Sequence, residues 1–202
     1  MFANISLPAV DEIIDLMARS SQDERPYKVD LTVGVYKDTN DNVLLMKAVK
    51  QTDQQLANEG RNKGYVGSKG DLEYVQLLQD LTFANQDVNG YVSGIQTAGG
   101  SGGLRVILDL IKLANPKAKI WVSDPTYANH IPTIVAAGLD YEEYPFIDDK
   151  SMTLDDNGLF NTLEKLGEND VVLLHGSCHN PSALRMSLIQ LCSRRRIERE
   201  GK

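Results

Sequence analysis

The stretch Ile95-Gln96-Thr97-Ala98-Gly99-Gly100-Ser101-Gly102-Gly103-Leu104-Arg105-Val106 constrains this chain more than any other. Tyr91 to Thr97 alternates and is rich in β-favouring residues, which predicts a short strand. Gly99 to Gly103 predicts a turn of nearly bare backbone. Leu104, Ile107, Leu108 and Ile111 recur at helical spacing, which predicts a helix from about Ser101 to Leu113. Such a strand, turn and helix start form an anion cup. The first N–H groups of the helix lack partners, and its dipole favours negative charge. Ser101 adds a hydroxyl donor. A dinucleotide fingerprint needs a further glycine where Arg105 stands, and a P-loop needs Gly-Lys-Ser/Thr, which is absent. A phosphate cup and a turn that merely packs a helix on a sheet both stay open on these residues alone.

The rest of the chain supplies the frame. Ala9 to Ser20 reads as a short amphipathic helix. Lys28 to Tyr36 alternates as a strand interrupted by Gly34, where the glycine marks a bulge, a close ligand or a simple bend. Val43 to Asn58 reads as a helix. Gly60, Gly64, Gly67 and Gly70 surround Tyr65 in a loop, and Asp71 caps a helix running to about Asn85. Then follow a strand at Lys119 to Val122, a polar turn from Ser123 to His130, and a helix from Ile131 ending at Gly138. Next come a strand from Tyr141 to Pro145, a helix from Asp155 to Leu166 and an apolar strand from Asp170 to His175. Strands alternating with helices from Tyr91 onward predict an α/β layer. Ligands of such sheets bind beyond the carboxyl ends of the strands. The glycine cup, the Tyr127 turn and the Asn180 turn all follow strands, so one pocket can hold all three.

Composition narrows the classes. A net charge of -7 argues against nucleic acid as a partner. Two cysteines are too few for a disulfide framework, no signal-peptide pattern opens the chain, and no apolar run is long enough to span a membrane. A cytoplasmic protein is the expectation. His175 and His179 lie four apart, but at a strand end without an acidic partner between them, so no metal site is expected.

Taken in order, the turns resemble one family. Gly34-Val35-Tyr36-Lys37-Asp38, Gly64-Tyr65, Gln96 to Gly102, Trp121 to His130 and His175-Gly176-Ser177-Cys178-His179-Asn180-Pro181 are similar to the class I, fold type I aminotransferases for aspartate and aromatic amino acids, which use pyridoxal phosphate. The resemblance covers residues 1–181. It implies the large domain of the fold type I transferases, truncated: a mostly parallel sheet with helices on both faces, preceded by a segment of the small domain. Residues 1–40 would be the N-terminal arm and small-domain segment, and 41–181 the first half of the cofactor-binding domain. The resemblance also implies roles. Gly100, Ser101 and Gly102 would hold the cofactor phosphate. Tyr127, where the family usually has Trp, would stack on the pyridine ring. Asn180 would donate to the ring's phenolic oxygen, and His130 would support the aspartate that pairs with the ring nitrogen. Gly34 would lie against the substrate, with Tyr127 and Asn180, and Tyr65 would reach a partner's phosphate across a homodimer. Amino acids and 2-oxo acids would be the small-molecule partners, with neither nucleic acid nor membrane.

After Pro181 the family pattern stops. Residues 182–202 hold six basic and two acidic residues, in a chain with 21 basic and 28 acidic overall. This basic tail is read as a possible frameshift product. The family's Schiff-base lysine, ring-nitrogen aspartate and substrate-carboxylate arginines have no counterpart in these residues. Lys69, Lys112 and Lys119 fall outside the expected pocket and Lys202 lies in the tail, so no catalytic residue is assigned. Activity of the chain alone is not expected, because the reaction needs an amine that bonds the cofactor and then shuttles a proton. The alternatives are a non-catalytic remnant or dimer-binding fragment and, with less support, a nucleotide-binding domain. An apolar strand such as Val171 to His175 also calls for neighbours on both sides, so low stability in isolation is expected.

Overall fold

The first helix, α1 (Glu12–Gln22), is followed by α2 (Lys47–Glu59), which ends where Gly60 turns left-handed at φ 58°. The computed structural model describes residues 12–40, 42–84, 86, 88 and 90–186. These fall into two units, 1–64 and 65–202. The predicted start of α1 lies outside the described residues.

No described residue of the first unit is buried. The strand expected at Lys28 to Tyr36 does not form. Asp30 instead accepts from the backbone and hydroxyl of Thr32 at 3.0 and 2.6 Å. A three-residue turn closes over Gly34, with Val35 N–H donating to the Val33 carbonyl at 2.9 Å. Val29 and Leu31 stand 78% and 86% exposed. Local side-chain bonds have displaced a ladder that had no partner strand. Only an isolated antiparallel bridge, Lys37 to Val43, marks this segment. Gly34 is therefore the middle residue of a turn and not a bulge in a strand.

In the second unit α3 (Leu72–Thr82) starts where expected, with the Asp71 carboxylate accepting from Tyr74 N–H at 3.0 Å. The strand expected at Tyr91 to Thr97 is absent as well. Gln96 is stapled to the turn before α3: its N–H donates to the Lys69 carbonyl and its side-chain oxygen accepts from Asp71 N–H, both at 2.9 Å. Helix α4 (Gly99–Ala114) begins two residues earlier than predicted, so the glycines form its first turn rather than a loop before it.

The sheet has three parallel strands, β1 (Lys119–Asp124), β2 (Asp140–Pro145) and β5 (Asp170–Val172), in the order β2-β1-β5. Both edges of β1 are thus taken, which leaves Tyr91–Thr97 no neighbour there. β5 is shorter than the apolar run that predicted it; Leu173 adds one bond to the Trp121 carbonyl at 2.8 Å before the chain turns away. Between the outer elements lie α5 (His130–Ala136), a small hairpin of β3 (Ile147–Asp148) and β4 (Thr153–Leu154), and α6 (Asp156–Leu163).

Period-two alternation sorts the strand side chains onto two faces. Ile120 and Val122 join Leu108 of α4, Ile134 of α5 and Leu139 in one core, with Val171 and Leu173 packed against it. Trp121, Val172 and Leu174 pack on the other face with Tyr144, Phe146 and Leu159 of α6. Helices therefore cover both faces of a parallel sheet, as the α/β expectation required. Among the described residues no helix is long and apolar enough to cross a membrane.

Candidate functional site

The turns after β1 and β5 leave the same end of adjacent parallel strands. Each contains a cis X–Pro bond, Asp124–Pro125 and Asn180–Pro181. Their side chains meet in one aromatic column. The Tyr127 ring stands edge-on to His130 at 5.3 Å between centroids, and His130 is edge-on to His175 at 5.2 Å. His175 tilts against His179 at 4.5 Å, and His179 stacks on Phe146 at 3.8 Å.

Hydroxyls fix the rings. His130 Nδ1 bonds the Thr126 hydroxyl at 2.7 Å, His179 Nε2 bonds Ser123 at 2.8 Å, and His179 Nδ1 bonds Ser182 at 2.7 Å. The Asn180 backbone N–H donates to His175 Nδ1 at 3.0 Å. Tyr127 Oη accepts from the Asn129 amide at 2.8 Å. His175 Nε2 is buried with no partner among the described residues.

All three imidazoles sit below their ordinary pKa. Burial is the main cause in each, and it holds His179 at about 4, with the neighbouring imidazoles of His175 and His130 adding to the effect. The cluster is neutral at pH 7. Among the described residues no group of His, Cys, Asp and Glu is arranged to hold a metal ion.

Gly100, Ser101 and Gly102 form a second locus at the start of α4. Ala98 precedes the helix and provides no side-chain cap. A Cβ at Gly100 would meet nothing within 4 Å, whereas one at Gly103 would lie 3.2 Å from the Thr97 hydroxyl. Ser101 is exposed. This is an open cradle of backbone donors, and it fits a phosphate. It makes no hydrogen bond or ring contact with the imidazole column among the described residues. The two loci share a core, since Leu104 of α4 and Ile131 of α5 pack on the same cluster.

The structure therefore joins Tyr127, His130 and the Asn180 backbone, through His175, and places the glycine cradle on the helix packed beside α5. Gly34 lies in the first unit and Tyr65 is fully exposed. Lys112 bonds the carbonyls of Pro116 and Gly138 at 3.0 and 2.6 Å, and Lys119 pairs with Glu142 at 2.6 Å, so both ammonium groups are engaged elsewhere. Sequence reasoning assigned no role to Ser123, Thr126, Ser182 or Phe146. The available signal was Ser123, a polar residue directly after the apolar run Ile120-Trp121-Val122.

A family model, aminotransferase class I and II, matches residues 26–197. The chain belongs to this aminotransferase family. It is 39% identical over 182 residues to the tyrosine aminotransferase of Rhizobium meliloti strain 1021, covering 90% of this chain and 46% of that protein. It is 36% identical over 193 residues to the aspartate aminotransferase of Escherichia coli K12, covering 94% and 49%. Among solved structures, the psychrophilic aromatic amino acid aminotransferase of Psychrobacter sp. B6 superimposes with a TM-score of 0.93 at 30% identity, covering 99% of this chain and 51% of that one. The aromatic-amino-acid aminotransferase of Burkholderia pseudomallei, covalently bound to pyridoxal phosphate, gives 0.92 at 29% identity, covering 99% and 51%. The chain thus spans about half the length of the curated relatives it matches, which are aspartate and aromatic aminotransferases, and it has the fold type I architecture.

Proposed function

We propose that this chain supplies the phosphate cradle and ring-facing turns of an aminotransferase that moves an amino group between aspartate or aromatic amino acids and 2-oxoglutarate with pyridoxal phosphate. The observation that carries this reading is the pairing of an uncapped, glycine-built helix start at Gly99–Gly102 with an aromatic and amide edge at Tyr127 and Asn180. When bound, the cofactor supplies an electron sink for the substrate's α-carbon.

In this reading the N–H groups of Gly100, Ser101 and Gly102 and the Ser101 hydroxyl bind the phosphate. Tyr127 offers a ring face, with less area than a Trp would give. Asn180 orients the ring by donating to its phenolic oxygen, and His130, neutral and tied to Thr126, supports the partner of the ring nitrogen. Gly34 lines the substrate side, and Tyr65, fully exposed, contacts a second subunit of a homodimer. The expected setting is cytoplasmic, with small-molecule partners and neither nucleic acid nor membrane. Residues 1–40 act as arm and small-domain segment, 41–181 as the first half of the cofactor domain and 182–202 as a divergent tail.

These 202 residues contain no lysine that matches the family's catalytic one, so on this reading they do not perform the transfer by themselves. The second reading, a non-catalytic remnant or dimer-binding fragment, shares the same geometry. Titrating the chain with pyridoxal phosphate, followed by absorbance and borohydride reduction, tests both. Saturable binding weakened by Ser101→Ala and no reduced adduct at a single lysine is the expected result. A specific lysine adduct overturns the inactivity, and absence of saturable binding overturns the cradle.

A further inference from the structure

His175 and His179 are the imidazoles of the column that the functional reading leaves without a task, and the hydrogen bonding of His175 is one-sided. Its Nδ1 accepts the Asn180 backbone N–H at 3.0 Å. A neutral imidazole has one donor and one acceptor nitrogen, so the ring proton sits on Nε2. That Nε2 is the buried atom without a partner among the described residues. Adding a proton would place an N–H on Nδ1, facing the N–H of Asn180. Two donors cannot share that bond, and the amide must let go.

The rest of the turn is held independently. His179, next in the chain to Asn180, is anchored at both ring nitrogens by Ser123 and Ser182 and stacked on Phe146. Its N–H donates to the Leu184 carbonyl at 2.9 Å. Losing the His175 bond therefore releases the Asn180 peptide without dismantling what flanks it. The groups facing His175 are the imidazoles of His130 and His179. The column's further neighbours are Tyr127 and Phe146, the hydroxyls of Ser123, Thr126 and Ser182, and, beyond Ser123, Tyr144. No hydrogen bond or ion pair described for the column involves a carboxylate, ammonium or guanidinium. Asp124, Cys178 and Arg185, nearby in the chain, are exposed.

We propose that His175 is a positioning residue for Asn180: its Nδ1 holds the Asn180 peptide only while the ring is neutral, so protonating this one imidazole frees the residue set against the cofactor. The role rests on the functional reading for its consequence, but the coupling itself does not. It is measured on the 202-residue chain by nuclear magnetic resonance, following the Asn180 amide and the His175 ring protons from about pH 8 to about pH 5. The expected result is an Asn180 amide that moves with the same midpoint as the His175 ring. In His175→Asn, whose side-chain oxygen can accept without titrating, the amide stays protected from exchange and its pH response disappears. In His175→Phe, which keeps the ring and loses the acceptor, amide exchange quickens about tenfold, the equivalent of ~1.4 kcal/mol. An Asn180 amide that ignores the His175 midpoint in the unmodified chain overturns the proposal, whatever the variants do. Failure of pyridoxal phosphate to bind, with the coupling intact, falls on the functional reading alone.

Discussion

His179 is only 2% exposed, yet it carries two polar ring nitrogens, and the side chains that satisfy them come from β1 and from the turn itself. An imidazolium there would have to be desolvated beside two other imidazoles. Its folded pKa is depressed from 6.5 to about 4, so between those values the unfolded chain binds the proton that the folded one refuses. Stability therefore rises with pH across that window and is lost as the solution is acidified. With that shift the loss is at most about 3 kcal/mol between pH 7 and pH 4. Urea midpoints measured across that range should fall, and a flat profile would refute the assignment. Ser123→Ala leaves His179 Nε2 buried without its partner, which costs about 1–3 kcal/mol. The same urea measurement reads it, and Ser123→Thr, which keeps the hydroxyl, should lose less. The sequence showed Tyr127, His130, Asn180 and the glycines as separate signals, because each lies in a recognisable turn. It could not show that His130, His175 and His179 form a column, since that contact depends on β1 and β5 being neighbours, a fact no local pattern carries.

At the scale of elements, what was legible follows from how local the stabilising interaction is. Asp71 and Asp155 were readable as helix starts because an N-cap needs only the next three residues. Both carboxylates do accept from the first turn, Asp155 from Gly158 N–H at 2.8 Å. Asp155→Ala should cost α6 about 1 kcal/mol, seen as a lower urea midpoint, with Asp155→Asn or Asp155→Ser recovering most of it. Gly158 has a second reason to be small. A Cβ on it would fall 2.8 Å from the Pro145 Cβ at the end of β2, so Gly158→Ala should destabilise by about 1–3 kcal/mol despite the better helix propensity of alanine. Strands were legible only where a partner strand exists. Lys28–Tyr36 and Tyr91–Thr97 have the alternation of strands, but one is broken by Asp30 and Gly34 and the other is stapled through Gln96. The β3–β4 hairpin went unpredicted because its strands are two residues each. Only Asp148, accepting from Lys150 and Ser151 N–H, marks its turn.

At the scale of the whole molecule, burial is uneven, and this sets how the chain should behave on its own. Every buried side chain among the described residues lies in the second unit, on one face of the sheet or the other. In that unit Leu110 and Leu113 of α4 are exposed, as are Leu72, Leu77 and Leu81 of α3, and among the described residues β5 pairs on one side only, with β1. An open strand edge beside exposed apolar helix faces is a template for association. In the first unit helix α2 buries nothing, so its amides are protected by little more than helix propensity, and an isolated helix of 13 residues is marginal. Two consequences can be measured together on the purified chain. Hydrogen exchange should proceed fastest in α1 and α2 and slowest in β1 and the inner half of α4, where Leu108 sits at the core. Heating should bring light scattering at the temperature where β1 protection is lost, because unfolding adds the Ile120 and Val122 face to apolar surface already open. A monomer that melts cooperatively at an ordinary mesophilic temperature, with α2 as protected as β1, would show that the exposed faces cost the fold nothing.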